Sequence, residues 1–89
     1  MFRVVLECMG VPAAEGAEAA ADIEREFREH RPHHQNVRCT FDDGKLVLEA
    51  ENSFDADGLA LLDEFSDCIS AYVATPFDGD IKLVSSNLI

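Results

Sequence analysis

Hydrophobic and polar residues alternate along this chain in six successive segments, each with the period of a strand or of a helix. In residues 2–8 every second position is apolar, which is typical of a strand with one buried face. Residues 14–30 place Ala20, Ile23 and Phe27 at helical spacing, and Pro32 is expected to end this helix. The chain is therefore predicted to begin with a strand and a helix.

The centre of the chain predicts a β-hairpin with a defined register. Asp43 and Gly44 are typical of a two-residue turn between antiparallel strands. In the register that this turn sets, apolar residues meet apolar residues and two outward pairs have opposite charge. The predicted pairs are Asp42 with Lys45, Phe41 with Leu46, Thr40 with Val47, Cys39 with Leu48, Arg38 with Glu49, and Val37 with Ala50.

A second helix and a last strand are predicted after the hairpin. Asp55 is expected to be the N-cap of this helix, with Phe54 and Leu59 placed to form a hydrophobic staple. The helix is expected to end before Pro76. Residues 80–84 are predicted to form the strand, after a turn at residues 78–79, and residues 85–89 a short tail.

This order of elements predicts an α+β fold, the ferredoxin-like βαββαβ two-layer sandwich. Right-handed crossovers arrange such strands as a four-stranded antiparallel sheet of order 4132, with both helices on one face. Of the 89 residues, 47% are hydrophobic, which is enough for one core. Residues 1–89 are therefore expected to form a single domain.

The sheet face that the helices leave uncovered is predicted to hold four of the chain's seven basic residues. Acidic and basic residues interleave there around a row of valines, and this arrangement favours face-to-face pairing of two copies. The alternative is a solvated face with ion pairs that contribute at most about 1 kcal/mol each. The candidate interface residues are Val5, Thr40, Val47, Val84, Arg38 and Glu49.

A histidine-rich segment after the first helix is expected to approach the start of the second helix. Imidazole and carboxylate groups together are ligands for zinc, nickel or copper. The candidate metal ligands are His30, His33, His34, Asp55 and Asp57. The alternative is a cationic helix C-terminus that faces an acidic N-cap, without a metal.

The net charge of −11 lies mostly in the second half of the chain, where residues 42–89 hold eleven acidic residues and two lysines. Nucleic-acid binding requires basic surface, so no nucleic-acid partner is expected. No apolar run approaches membrane-spanning length, and Arg3 and Glu7 interrupt the N-terminal apolar stretch. We therefore expect no membrane partner and a cytoplasmic location.

Cysteine and motif patterns give no sign of a cofactor. Cys8, Cys39 and Cys68 are odd in number and form no CxxC pair, which predicts buried free thiols. The chain has neither a GxSxG nucleophile elbow nor a glycine-rich phosphate loop after a strand. No catalytic residue is predicted, and an enzyme is not expected.

Three hypotheses for function follow. The leading one is a small, acidic, noncatalytic association domain, which acts as a homodimer or presents its acidic second helix to a protein partner. The second is a metal- or small-ligand-responsive sensor that uses the segment with His30, His33 and His34. The third, ranked last, is a dimeric ferredoxin-like enzyme with a cleft between sheet and helices.

Overall fold

The computed structural model of the chain describes residues 1–74 and 80–89. Its elements, in chain order, are β1 (Phe2–Met9), α1 (Ala13–His30), β2 (Gln35–Asp42), β3 (Lys45–Asn52), α2 (Leu59–Tyr72) and β4 (Ile81–Leu88). Neither described helix has the length and hydropathy needed to cross a lipid bilayer. The predicted α+β class and the order of the six elements are confirmed.

The four strands form one antiparallel sheet in the order β2-β3-β1-β4, which is the predicted order 4132 seen from its other edge. Alternate residues of the strands, such as Val4, Leu6 and Leu48, are buried against Ile23 and Phe27 of α1. Leu61 and Phe65 of α2 belong to the same core. Because these buried residues form one cluster, the helices cover one face of the sheet and the other face stays open.

The β2–β3 hairpin has the predicted turn and most of the predicted register. Asp43 and Gly44 have φ values of 50° and 77°, as a type I′ turn requires. The predicted pairs from Asp42–Lys45 to Arg38–Glu49 are confirmed, but the Val37–Ala50 pair is not. A β-bulge shifts the register there, so Gln35 lies opposite Glu51, and Asn36 adopts a φ of 51°.

The last strand is longer than predicted. Residues 85–88 continue β4 and pair with β1, so the prediction of a tail from residue 85 was wrong. A second bulge lies within this pairing: Val5 pairs with Ser85 and Leu6 with Leu83, which leaves Val84 as the extra residue. The turn predicted at residues 78–79 lies outside the described residues.

The second helix begins later than predicted, at Leu59. Gly58 precedes it with a φ of 76°, a left-handed conformation that interrupts the helix between residues 55 and 59. Asp55 is buried, and its two carboxylate oxygens accept the backbone N–H groups of Ala60 and Leu61, both at 3.0 Å. The carboxylate therefore caps the helix, as expected of it, but from outside the N-cap position.

All three cysteines are free and buried, as predicted. Burial and the nearby Glu24 carboxylate raise the pKa of the Cys39 thiol to about 12. Burial is also the main cause that raises the pKa of Cys8 and of Cys68. The thiols therefore serve as small apolar groups of the core.

Candidate functional site

Two regions of the structure hold most of the residues that the sequence singles out. The first, called here the histidine cluster, comprises His33, His34, Asn52 and Glu64. It lies where the α1–β2 loop meets the end of β3 and the first turns of α2. The second is the open sheet face.

His34 is buried because of the bulge in β2. Without the bulge, the hairpin register would place Gln35 opposite Asn52, on the side of the sheet that faces the helices. The extra residue shifts Gln35 to the open face opposite Glu51, so the next position, His34, turns toward the core. The His34 side chain is 0% exposed, and its ring packs 5.6 Å from that of Phe27.

Asn52 determines which nitrogen of His34 carries the proton. Its side-chain oxygen accepts the backbone N–H groups of Phe54 and Asp55, at 3.2 and 2.7 Å. The amide nitrogen of Asn52 therefore faces His34 Nδ1, at 3.2 Å, and donates to it. The proton of the neutral ring is thus on Nε2, from which it is donated to Glu64 Oε2.

Glu64 is the carboxylate on which the cluster converges. Its Oε1 lies 2.9 Å from His33 Nε2 and 3.3 Å from the guanidinium of Arg31. Burial alone would raise the pKa of Glu64, but hydrogen bonds from His34 and His33 outweigh it and hold the pKa below its ordinary value. The carboxylate is therefore ionised at neutral pH and ties the α1–β2 loop to α2.

The structure brings together two of the five predicted metal ligands. The side-chain ligand atoms of His33, His34 and Glu64 lie within 4.8 Å of one another. His30 lies instead near the carboxylates of Glu26 and Glu29, at 3.9 Å from each. Asp55 is occupied by the helix cap described above, and Asp57 accepts the backbone N–H of Leu59 at 3.3 Å.

Sequence reasoning missed Glu64 and the role of Asn52. Glu64 reads as one of several acidic residues on the polar side of α2, and only tertiary packing shows that it faces the loop. Asn52 has a local signal, since an asparagine between a strand and a helix commonly accepts backbone N–H groups two and three residues on. That signal identifies the turn, but it does not identify His34 as the ring that Asn52 orients.

A shallow cleft of about 350 Å³ lies beside the cluster, lined by Arg28, Pro32, His34, Asn36 and Val37. Its polar groups are already engaged. Arg28 donates to Glu24, Asn36 donates to Glu51, and His34 is held by Asn52 and Glu64. The cleft therefore offers a ligand no set of convergent, uncommitted polar groups.

The open sheet face carries ion pairs between neighbouring strands. Arg3 lies 3.0 Å from Glu51 and 3.5 Å from Glu49. Lys45 lies 3.7 Å from Glu7. Hydrogen bonds from Asn36 and Arg3 lower the pKa of Glu51.

The predicted interface residues lie on or beside this face. Val5 and Val47 are half-buried among the charged side chains at its centre, and Arg38 pairs with Glu49 across the hairpin. Thr40 is exposed and pairs with Val47. Val84, the bulge residue of β4, is 52% exposed at the edge.

The chain was compared with known protein families, with curated proteins and with solved structures, and none of the three comparisons gave a match.

Proposed function

We propose that this chain is a small noncatalytic association domain of ferredoxin-like fold that acts as a homodimer through its open sheet face. The observation that carries the proposal is the charge balance of that face. Among the described residues it holds four basic and four acidic side chains: Arg3, Arg38, Lys45, Lys82, Glu7, Asp42, Glu49 and Glu51. A cytoplasmic location belongs to the same proposal.

The charge balance favours a second copy as the occupant. The other charged positions of the chain are three arginines and fourteen acidic residues, so they account for the whole net charge of −11. Two copies that met through those regions would repel each other. Across the open face, basic and acidic side chains of one copy meet acidic and basic side chains of the other.

The size of the face is sufficient for a specific contact. Each strand has eight residues, and with a rise of about 3.3 Å per residue and about 4.8 Å between strands the face has a plane area of about 500 Å². Projecting side chains make the accessible area larger than the plane area. Two copies together therefore reach the roughly 1,000 Å² that a biological interface needs.

Light scattering coupled to size-exclusion chromatography tests the dimer. At high micromolar concentration we expect the mass of two chains. Val47→Arg, which places a bulky cation at the centre of the face, where a second copy would bury it, should shift the mass to one chain.

Ala21→Arg is the matched control, because it adds the same charge to an exposed position of α1. This variant should remain dimeric. A monomeric wild-type chain at this concentration, or a dimer that Val47→Arg does not weaken, would rule out pairing through this face.

A second candidate function is zinc-responsive binding, which the proximity of His33, His34 and Glu64 favours. Two imidazoles and one carboxylate form a known zinc ligand set with a fourth position open. Zinc on His34 Nε2 requires the proton to move to Nδ1, where the donor group of Asn52 opposes it. Zinc binding by the native chain therefore requires the Asn52 side chain to turn.

Zinc titration followed by histidine NMR signals tests this candidate. His33→Ala should abolish site-specific shifts, and His30→Ala, outside the cluster, should leave them unchanged. Asn52→Asp should strengthen binding, because its carboxylate accepts the Nδ1 proton of a zinc-bound His34. Affinity that His33→Ala does not reduce would reject the candidate.

A further inference from the structure

The side chain of Asn52 makes hydrogen bonds at both ends of its amide, and the two ends serve different parts of the chain. Its Oδ1 accepts the backbone N–H groups of Phe54 and Asp55, and so holds the turn of residues 53–58 that leads into α2. Its Nδ2 donates to Nδ1 of His34, at 3.2 Å. Asn52 is 1% exposed, so water has little access to replace either set of contacts.

This amide cannot serve both parts of the chain when the ring proton of His34 is on Nδ1. If Asn52 keeps its orientation, its NH2 group faces the N–H of the ring, and two donors meet. If the amide turns by about 180°, its oxygen accepts from the ring, but its NH2 group then faces the N–H groups of Phe54 and Asp55. One of the two contacts is therefore lost in either orientation.

The contact with the turn is the one that is lost at lower cost. The His34 side chain is 0% exposed and packs against Phe27, so its Nδ1–H has no route to water. The turn is less enclosed, since Phe54 is 55% exposed. The N–H of Asp55, which is 4% exposed, reaches water only if the turn moves.

We propose that zinc binding at the histidine cluster releases the turn of residues 53–58 from Asn52 and thereby loosens the segment before α2. This proposal rests on the zinc-responsive candidate function described above. With zinc on Nε2 the ring of His34 stays neutral, because one proton leaves Nε2 and one joins Nδ1. Asn52 turns to accept that proton, and the N–H groups of Phe54 and Asp55 lose their acceptor.

The coupling between zinc and the turn is reciprocal, so the free energy that zinc costs the turn also lowers the affinity for zinc. Charged groups at the cluster set the remainder of that affinity. Glu64 is an ionised ligand, and the guanidinium of Arg31, 3.3 Å from its Oε1, opposes a second cation there. Both groups are unchanged in a variant of Asn52, so a comparison with that variant isolates the contribution of the amide.

Amide hydrogen exchange followed by NMR, with and without saturating zinc, tests the coupling. In the wild-type chain zinc should raise the exchange rate of the Asp55 amide about tenfold, because the amide loses its hydrogen bond to Asn52. Exchange at Leu48, which is buried in β3 between two strands, should not rise, since a ligand of the folded chain stabilises it as a whole. Zinc that only stabilised the fold would slow exchange at both positions.

Asn52→Asp separates zinc binding from release of the turn. One oxygen of the new carboxylate accepts from Nδ1 of a zinc-bound His34, while the other still accepts the N–H of Asp55. Zinc should therefore bind this variant without raising the exchange rate at Asp55. His33→Ala, which lacks a zinc ligand, should show neither binding nor faster exchange, and His30→Ala should behave as the wild type.

The outcomes distinguish failure of the coupling from failure of the zinc site. Zinc-dependent shifts of the His33 and His34 signals with unchanged or slower exchange at Asp55 would overturn the coupling and leave the zinc site standing. An exchange rate at Asp55 that zinc raises equally in the wild type and in Asn52→Asp would also overturn it. Absence of zinc-dependent shifts in the wild-type chain would reject the zinc-responsive function and the coupling together. Thermal unfolding of each variant establishes that it is folded before exchange is measured.

Discussion

At the scale of single residues, Asn52 joins two parts of the structure through one side chain. It is 1% exposed, and it binds the ring of His34 on one side and the backbone of the turn before α2 on the other. Its amide nitrogen donates to the ring, and its oxygen accepts from the backbone. The orientation of His34 and the start of α2 therefore depend on the same amide.

Asn52→Ala should lower the free energy of unfolding by about 2–3 kcal/mol, because it leaves the buried N–H of Asp55 and Nδ1 of His34 without partners. Urea unfolding at neutral pH measures the loss. Asn87→Ala, at an exposed position of β4, is the control and should change the stability by less than about 0.5 kcal/mol. Equal effects of the two changes would contradict the role given to Asn52.

Two glycines with nearly the same backbone conformation provide a second test at this scale. Gly44 and Gly58 have φ values of 77° and 76°. A Cβ on Gly44 would have space around it, whereas one on Gly58 would lie 3.0 Å from Leu83 and from Val4. The two sites therefore differ in packing and not in backbone strain.

Gly44→Ala should cost about 1 kcal/mol, which is the penalty for a left-handed alanine. Gly58→Ala should cost about 1 kcal/mol more, because Leu83 and Val4 must also move. Thermal unfolding of both variants makes the comparison. A Gly58 variant no less stable than the Gly44 variant would show that Leu83 and Val4 yield without cost.

At the scale of elements, α2 is held at both its start and its second turn by groups from other segments. Asp55 caps it, and Glu64 binds the loop that follows α1. Arg31, whose guanidinium lies 5.5 Å from the centre of the Phe27 ring, brings the end of α1 to the same carboxylate. The position of α2 over the sheet therefore depends on an ionised Glu64.

The contribution of Glu64 to stability should depend on pH. Its pKa in the folded chain lies below the ordinary value of 4.5, so the stabilisation is fully present above about pH 4.5. It is lost as the pH falls through the lower, folded-state value, where the carboxylate becomes protonated. The stability difference between wild type and Glu64→Gln should therefore be present above about pH 4.5 and shrink below it.

Urea unfolding at several pH values between 3 and 7 measures this difference, in steps of about one unit. Glu18→Gln, at an exposed position of α1, is the matched control, with a small difference expected throughout. A difference for Glu64→Gln that grows as the pH falls below 4.5 would contradict the assignment.

The elements also show which parts of the fold could be predicted from the sequence. The β2–β3 turn and five of its pairs follow from local chemistry, because Asp43 and Gly44 specify the turn and the turn specifies the register. The bulges at residues 36–37 and at Val84 do not follow from the alternation of polar and apolar residues. Each bulge reverses which residues face the core beyond it, so the first turns His34 toward the core and the second turns Ser85 to the open face. Neither feature was predicted.

At the scale of the whole molecule, charge is distributed unevenly over the surface. The open sheet face is balanced, whereas the remainder carries the net charge of −11. Repulsion within the remainder opposes the compact state, and salt screens it. The melting temperature should therefore rise with sodium chloride between about 20 and 500 mM, a range over which the screening length falls severalfold.

Scanning calorimetry of the Val47→Arg variant, which is expected to be monomeric, measures the effect of sodium chloride on the melting temperature without a contribution from dimerisation. Sodium sulfate is avoided in the experiment, because excluded salts stabilise proteins by another route. A melting temperature that stays constant or falls with sodium chloride would show that the ion pairs of the folded chain outweigh its self-repulsion.

The central place of β1 in the sheet has a consequence for the order in which the chain folds. Val5 pairs with Glu49 on one side and with Ser85 on the other, so both partners of β1 lie far along the chain. Bringing such distant segments together costs conformational entropy before any pairing compensates for it, whereas the β2–β3 hairpin closes over two residues. We expect the hairpin to form first and the pairing of β1 with β4 last. β1, which lies between two other strands in the finished sheet, is therefore among the last strands to pair.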